Sequence, residues 1–305
     1  MRGWEISRYA LCSCVAAAML AGCGGSQPPI GAPGAMPQRR SLVLPSLHRR
    51  DLLYVSADLA TNVYTYPHGK LVSSLGGSTG VICSNAEGDV FLSQVNVNVI
   101  DEFRHGRSTP IAQISDPFSS PQSCSTDRTS GRLALVSSAG EGVAIFRPAK
   151  RHHWHLPKLY ALKENLYSCG YDASGALFVD GGTQSKGAFL LELPKGGSKF
   201  KGIALDSKLT TPGTVQWDGQ YLAVGDKDNT LIRRFSIQGS RGTETGSVML
   251  SGPSSLARFW IQGAIVVGAD TSDWEVGFWN YPDGGSETKT LNMTRPLGAT
   301  VSRPQ

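Results

Sequence analysis

An all-β fold built from repeated four-stranded units is what this sequence predicts, and three observations predict it. Composition is the first. Apolar residues make up 40% of the chain, charged residues 17%, and there are 36 Gly with no long amphipathic helical run. That is the profile of a turn-rich globular chain poor in helix formers. The second is a short unit written several times. Tyr167–Gly182 reads YSCGYDASGALFVDGG, and GVICSNAEGDVFLSQ near 80, QSCSTDRTSGRLALVSS near 122 and GTVQWDGQYLAVGDKD near 213 follow the same plan. Each is an apolar strand, an Asx-Gly turn and a second apolar strand. The third is a recurring corner that begins at Tyr66, Phe103, Phe146, Leu193, Ile237 and Tyr281, in steps of 37, 43, 47, 44 and 44 residues. Periods of this length mark stacked or radial β repeats.

Four strands are expected per unit. The innermost comes first, at Val81–Ser84, Ser123–Ser125, Ser168–Tyr171, Thr214–Trp217 and Leu256–Trp260. Turns follow at Asn85–Gly88, Asp127–Gly131, Asp172–Gly175 and Asp218-Gly219. Asx side chains hydrogen-bond their own backbone there, and Gly supplies the positive φ. The second strand is Val90–Ser93, Leu133–Val136, Ala176–Val179, Tyr221–Val224 or Ala264–Val267. The third ends at the corner, as in Tyr66-Pro67-His68-Gly69 and Tyr281-Pro282-Asp283-Gly284, and the fourth includes Pro110–Ile114, Ile203–Leu205 and Val248–Leu250.

The first unit lacks an inner strand, because Leu52 opens directly at the second. Gly298–Ser302 carries the missing pattern. A ring closed by pairing that segment beside Leu52–Ser56 explains both oddities and leaves no long exposed edge. The expectation is a six-bladed β-propeller with four-stranded blades over 51–305. The inner-strand–Asx-Gly–second-strand pattern and the Asn-x-Val-x-x-Tyr-Pro of TNVYTYP resemble NHL-like six-bladed propellers, from about Leu52 to Ser302.

The start of the chain follows the plan of a secretory signal. Arg2 and Arg8 precede the apolar run Leu11–Leu20, whose ten residues fall short of the ~20 needed to span a bilayer. Leu20-Ala21-Gly22-Cys23 then resembles the lipobox of bacterial lipoproteins. The resemblance implies cleavage after residue 22 and acylation of Cys23 with chains such as palmitate, which anchor the chain in a membrane. Gly rather than Asp after Cys23 implies the outer membrane where a host has two. Residues 23–50, rich in Pro, Gly, Ser and Arg, read as a lipidated flexible tether. Lipobox and propeller together resemble uncharacterised bacterial propeller lipoproteins.

The net charge of +5 sits in this leader and tether. Six of the 29 basic residues and one of the 24 acidic ones lie in 1–50, which leaves 23 of each in 51–305. A neutral body without a clustered basic face argues against nucleic acid as a partner.

Chemistry is sparse. Gluconolactonase-like propellers hold a divalent metal such as calcium with carboxylate and Asn ligands, but the inner strands VICS, SCS, SCGY, TVQW, LARFW and GATVS offer no Asp, Glu or His. Cys83, Cys124 and Cys169 share one slot in three consecutive units. They read as small packing residues rather than a zinc or copper(I) site, because inner strands around a channel are expected to lie well apart, and no essential disulfide is expected because three cysteines cannot all pair. His153 and His155 alternate onto one strand face of RHHWH and read as a solvated edge. Asp58, Asp180, Asp226 and Asp270 recur after second strands, where a partial acidic ring would attract a cation, or the Asp would simply build the turn. Trp217, Trp260, Trp274 and Trp279 would stack a ligand or fill the core. Arg258 is the charged residue of the inner strands and a candidate anion contact. No catalytic constellation or cofactor signature emerges.

The expected function is therefore a membrane-anchored, monomeric propeller that binds an envelope protein or small-molecule ligand without catalysis. The alternative is a lactonase-like hydrolase or lyase with a divalent metal at the channel mouth, drawing on Asp58, Asp180, Asp226 and Asp270.

Overall fold

Apolar runs buried on both faces set the architecture. Leu52, Leu53, Tyr54 and Val55 are all fully buried, which a strand achieves only when both of its faces are covered. The computed structural model describes residues 49–305 apart from 59, 77–78, 95–96, 184–186 and 255. The signal peptide over 1–22 and nearly all of the tether over 23–50, Cys23 included, lie outside the described residues.

The strands run in antiparallel series of four. β1 (Leu52–Ala57), β2 (Ala60–Thr65) and β3 (Leu71–Gly76) come first. Next are β4 (Thr79–Ser84), β5 (Val90–Gln94), β6 (Val99–Phe103) and β7 (Pro110–Ser115), then β8 (Pro121–Thr126), β9 (Leu133–Ser137), β10 (Gly142–Phe146) and β11 (Lys158–Tyr160). β12 (Leu166–Tyr171), β13 (Leu177–Thr183), β14 (Gly187–Leu193) and β15 (Lys201–Leu205) make the following series. β16 (Pro212–Trp217), β17 (Leu222–Asp226), β18 (Leu231–Gln238) and β19 (Arg241–Ser251) make another. β20 (Leu256–Gln262), β21 (Ile265–Asp270), β22 (Glu275–Asn280) and β23 (Gly284–Asn292) follow. The last strand, β24 (Pro296–Ser302), returns to pair β1, with Leu52 opposite Ser302, Tyr54 opposite Thr300 and Ser56 opposite Gly298.

Hydrogen bonding groups these strands into three four-stranded sheets and one of twelve, and none closes on itself. The twelve-stranded sheet joins the series β12–β15, β16–β19 and β20–β23 through short parallel contacts of their outer strands, β15 to β19 and β19 to β23.

Alternate residues of each second strand face opposite neighbours. Leu52 and Tyr54 of β1 pack against Val90 and Leu92 of β5, while Leu53 and Val55 pack with Val267 and Phe278 from β21 and β22. Phe91 turns instead toward Leu133 and Leu135 of β9, whose Ala134 and Val136 pack with Leu177 and Val179 of β13. Phe178 meets Leu222 and Val224 of β17, and Ala223 meets Val266 of β21. Each fully buried side chain of this size contributes about 1.5–3 kcal/mol, so the cohesion lies between sheets.

The inner strands are neighbours without a shared backbone ladder. β4 lies beside β8, β8 beside β12, β12 beside β16, β16 beside β20, β20 beside β24 and β24 beside β4. Short polar side chains bridge them. The Ser84 hydroxyl donates to the Val301 carbonyl at 2.9 Å and Thr126 Oγ1 donates to the Ser84 carbonyl at 2.8 Å. Ser125 Oγ accepts from Tyr171 N at 3.1 Å, Ser168 Oγ from Val215 N at 3.1 Å and Thr214 Oγ1 from Phe259 N at 3.1 Å. Gln216 takes both sides of Ile261, accepting from its N at 2.8 Å and donating to its carbonyl at 2.9 Å. Backbone groups facing inward must be satisfied, and a hydroxyl is the smallest group that does so. Space is equally tight at Gly170, where a Cβ would stand 2.5 Å from the Val215 carbonyl oxygen.

Ser168→Ala leaves the buried Val215 N–H without its acceptor. The expected cost is about 1–3 kcal/mol, read as a lower urea midpoint at unchanged m value, with Tyr167→Phe as the neighbouring control.

Candidate functional site

One cavity of about 590 Å³ opens where the inner strands end, within the ~300–1,000 Å³ range of small-molecule sites. Every inner strand contributes to its wall, from Ile82 on β4 to Val301 on β24. Its rim is made by the turns and residues that follow those strands, so Asn85, Arg128, Asp172, Gly219 and Arg303 stand around the mouth. Trp217 and Trp260 form aromatic wall, with Gln262 beside them. Among the described residues Asp172 is the one acid on the lining, and none there is His. Its Oδ1 accepts from Ser174 N at 2.9 Å and Ala176 N at 2.9 Å, fixing its turn.

Arg258 enters this cavity from β20 and reaches toward strands that are not its neighbours. Its guanidinium lies 5.4 Å from the Tyr167 ring on β12, and Nη2 stands 3.5 Å from Gln122 Oε1 on β8. A cation over an aromatic face gains roughly 0.5–2 kcal/mol depending on desolvation. Arg258 therefore presents positive charge inside the cavity, as the candidate anion contact requires.

The four recurring aspartates sit elsewhere. In an antiparallel pair the end of the second strand lies beside the start of the first, so Asp226 opposes Pro212 and Asp270 opposes Leu256. None of the four is on the cavity lining. Asp180, fully buried, accepts from Ser168 N at 2.8 Å and Gly213 N at 3.0 Å, tying β12 to β16. Burial pushes its carboxyl well above the ordinary range. Asp226 accepts from Thr210 N at 3.2 Å and Thr211 N at 3.1 Å. Asp270 accepts from Ser254 N, Ser272 N and Asp273 N at 2.8, 2.8 and 3.0 Å. Asp58 pairs with Arg295 at 2.7 Å. Three of these aspartates are buried clamps on backbone N–H groups, and the fourth is in an ion pair.

The cysteine expectation is corrected too. Cys83 and Cys124 form a disulfide with Cα atoms 5.7 Å apart, because β4 and β8 approach more closely than a wide channel would allow. Cys169 is the free cysteine among the described residues, buried, with its thiol pushed up to about 12 by that burial. Disulfides of this kind belong to oxidising compartments.

Among the histidines, His152 rather than His153 or His155 meets other functional groups. Its Nδ1 lies 3.7 Å from Glu102 Oε1, and Arg104 Nη2 lies 2.8 Å from its Nε2. Ligand-type atoms of Asp89, Glu102 and His152 fall within 4.8 Å of one another. Arg104 already brings positive charge to this group, and Trp154 Nε1 donates to Glu102 at 2.9 Å. His153 and His155 are exposed. Of the four tryptophans, Trp217 and Trp260 reach the cavity. Trp279 is fully buried and donates to the Ser251 carbonyl at 3.1 Å, and Trp274 is an exposed turn residue. Arg128 and Arg303 were not singled out from sequence. Their signal was position, immediately beyond an inner strand.

No protein-family model matches the chain, and no curated protein does. Solved structures do match. A chain in the crystal structure of a nidogen/laminin complex is 13% identical, with a TM-score of 0.67 over 84% of this chain and 99% of that one. A protein of unknown function from Bacteroides caccae is 11% identical, with a TM-score of 0.62 over 83% of this chain and 99% of that one. The fold is that of a β-propeller.

Two outcomes follow for this region. Cys83→Ser/Cys124→Ser removes a crosslink between positions 41 apart, worth about 4 kcal/mol in the chain-entropy account. Peptide mapping without reductant is expected to recover the linked pair, and urea melts to show the loss. The second concerns Asp116, between β7 and β8. Its Oδ1 accepts from Phe118 N at 2.9 Å, its Oδ2 is buried without a partner, and burial pushes its pKa up to about 6. A raised folded pKa contributes stability that is present below the ordinary carboxylate range and lost as pH rises through about 6. Asp116→Asn is expected to flatten that loss in melts taken between pH 4 and 8.

Proposed function

We propose that this chain is an exported, lipid-anchored, six-bladed propeller that holds a ligand or a partner protein at the mouth of its axial cavity. Several observations support six blades and closure. The neighbour relations of the inner strands run from β4 through β8, β12, β16 and β20 to β24 and back to β4. β24 completes the series of β1, β2 and β3. A buried cluster fills the space between each consecutive pair of series, including the last and the first. The lipid anchor rests on sequence alone, on Leu20-Ala21-Gly22-Cys23 after the apolar run. The Cys83–Cys124 disulfide is in keeping with export.

The observation that carries binding is the lining of the cavity. Two tryptophans, the rim cations Arg128 and Arg303 and the inward Arg258 stand against one acid already engaged in its turn. Aromatic surface beside arginine is the composition of binding hot spots, and the charge balance favours an anionic or acidic partner. One structural neighbour was crystallised in a nidogen/laminin complex, and by that analogy the partner is a protein. Lining of this kind offers no set of acids or histidines for a lactonase-like metal, so binding is the reading preferred over hydrolysis.

The test uses the full chain in its membrane. Chemical crosslinking followed by capture is expected to recover one predominant adduct from wild type and none from Arg128→Glu/Trp260→Ala, with labelling by a lipid precursor unchanged. Cys23→Ala is expected to lose that label and leave the membrane fraction. Equal adducts in wild type and the cavity variant sink the binding site, and undiminished label in Cys23→Ala sinks the anchor.

A further inference from the structure

A second cavity, of about 440 Å³, lies between the series β8–β11 and β12–β15. Its lining is unusual in charge. Arg132, Arg147, Lys158 and Lys195 all face it, and no acidic residue does. None of the four is within 4.0 Å of a carboxylate among the described residues. The carboxylate behind the wall at Gly175, that of Asp127, is held by Thr129 Oγ1 at 2.8 Å and by Ser130. The folded body carries equal numbers of basic and acidic residues, so this concentration is local.

The groove also holds an unsatisfied donor. Tyr171 lines it, is nine-tenths buried, and its hydroxyl has no hydrogen-bond partner. Burial pushes that phenol far up, so it stays protonated across the physiological range, with Cys169, Asp127, Arg132 and Tyr160 in electrostatic reach. A buried hydroxyl left unpaired is costly, which marks the place where a ligand acceptor would fit. Tyr160 adds a ring face held edge-on by Phe200 at 5.5 Å, with Lys158 Nζ 4.7 Å above it.

We propose that this groove is a binding site for a phosphate ester. Four uncompensated cations call for a ligand carrying more than one charge. A phosphomonoester brings about −1.5 to −2 and three strong acceptor oxygens. The guanidinium forks of Arg132 and Arg147 match phosphate oxygens two at a time, and the ammonium groups of Lys158 and Lys195 act as point charges. The Tyr171 hydroxyl supplies a neutral donor at depth, and the Tyr160 ring lies against the organic part. Leu156, 91% exposed, stands on the lining, so the same chemistry suits a free ester or a phospholipid headgroup. Tyr171 lines both this groove and the axial cavity, whereas the four cations line the groove alone, and the proposal does not rest on the axial cavity's function.

The experiment is calorimetric titration of the full chain with glycerol 3-phosphate, paired with co-sedimentation on phosphatidic acid and phosphatidylcholine vesicles. Arg147→Glu/Lys158→Glu changes two exposed side chains, and Tyr171→Phe removes only the hydroxyl; the N-terminal segment is common to all forms. Wild type is expected to bind glycerol 3-phosphate or phosphatidic acid vesicles, with affinity falling as salt rises. The double variant is expected to lose at least tenfold at unchanged Tm, and Tyr171→Phe severalfold at a Tm no lower than wild type. Binding of the soluble ester identifies a free ligand, and binding of phosphatidic acid vesicles alone identifies a headgroup. Equal affinity of wild type and the double variant for both probes, or no binding of either, overturns the proposal.

Discussion

Hydrogen bonding between inner strands that share no backbone ladder is the constraint on which the structure depends. Each inner strand has one partner strand in its own series and presents its other edge to a neighbour at close range. Those inward groups are met by Ser84, Thr126, Ser125, Ser168, Thr214 and Gln216. An alkyl side chain in these places would leave buried N–H groups unpaired. Five of the six inner strands accordingly carry Ser or Thr, and β20, LARFWIQ, is met instead by Thr214 and Gln216 of β16. Inner-strand composition is set by an edge that must be polar.

This constraint also explains where chemistry is available. Polar groups on the inner strands are committed to neighbouring strands, and the recurring aspartates are committed to the loops that lead from one series into the next. Functional freedom is left at positions just beyond the ends of inner strands, where Arg128 and Arg303 stand, and at residues long enough to leave the wall, such as Arg258. A rigid β wall with variable residues at its rim suits recognition better than a reaction that needs several groups converging on one atom.

Most of the architecture was legible in the sequence because it is local. Turns at Asn85–Gly88 and Asp172–Gly175, the buried apolar run Leu133–Val136 and the partnership of Gly298–Ser302 with Leu52–Ser56 all follow from pattern and period. What was not legible depends on how one series sits against the next. The Cys83–Cys124 bridge needs the distance between β4 and β8, which no spacing within the chain encodes. The aspartates at 180, 226 and 270 lie within the second strands rather than after them, and donors such as Gly213 N, Thr210 N and Ser254 N, on the inner strands or the loops leading into them, come from tertiary contact. Strand alternation pairs His153 with His155, whereas His152 ends a short turn over Lys150–His152 in which Arg151 and His152 both take positive φ, and no sequence period encodes that. The basic groove was invisible for the same reason. Arg132, Arg147 and Lys195 are far apart in sequence and share a wall only once two series pack.

The pairing of β1 with β24 has a temporal side. Leu52 meets its partner Ser302 only 250 positions later, so a ribosome delivering the chain from its amino end releases β1 long before β24 exists. The edge of β1 that β24 covers has no strand to pair with until then. Completion of that sheet is deferred to the moment the last segment emerges.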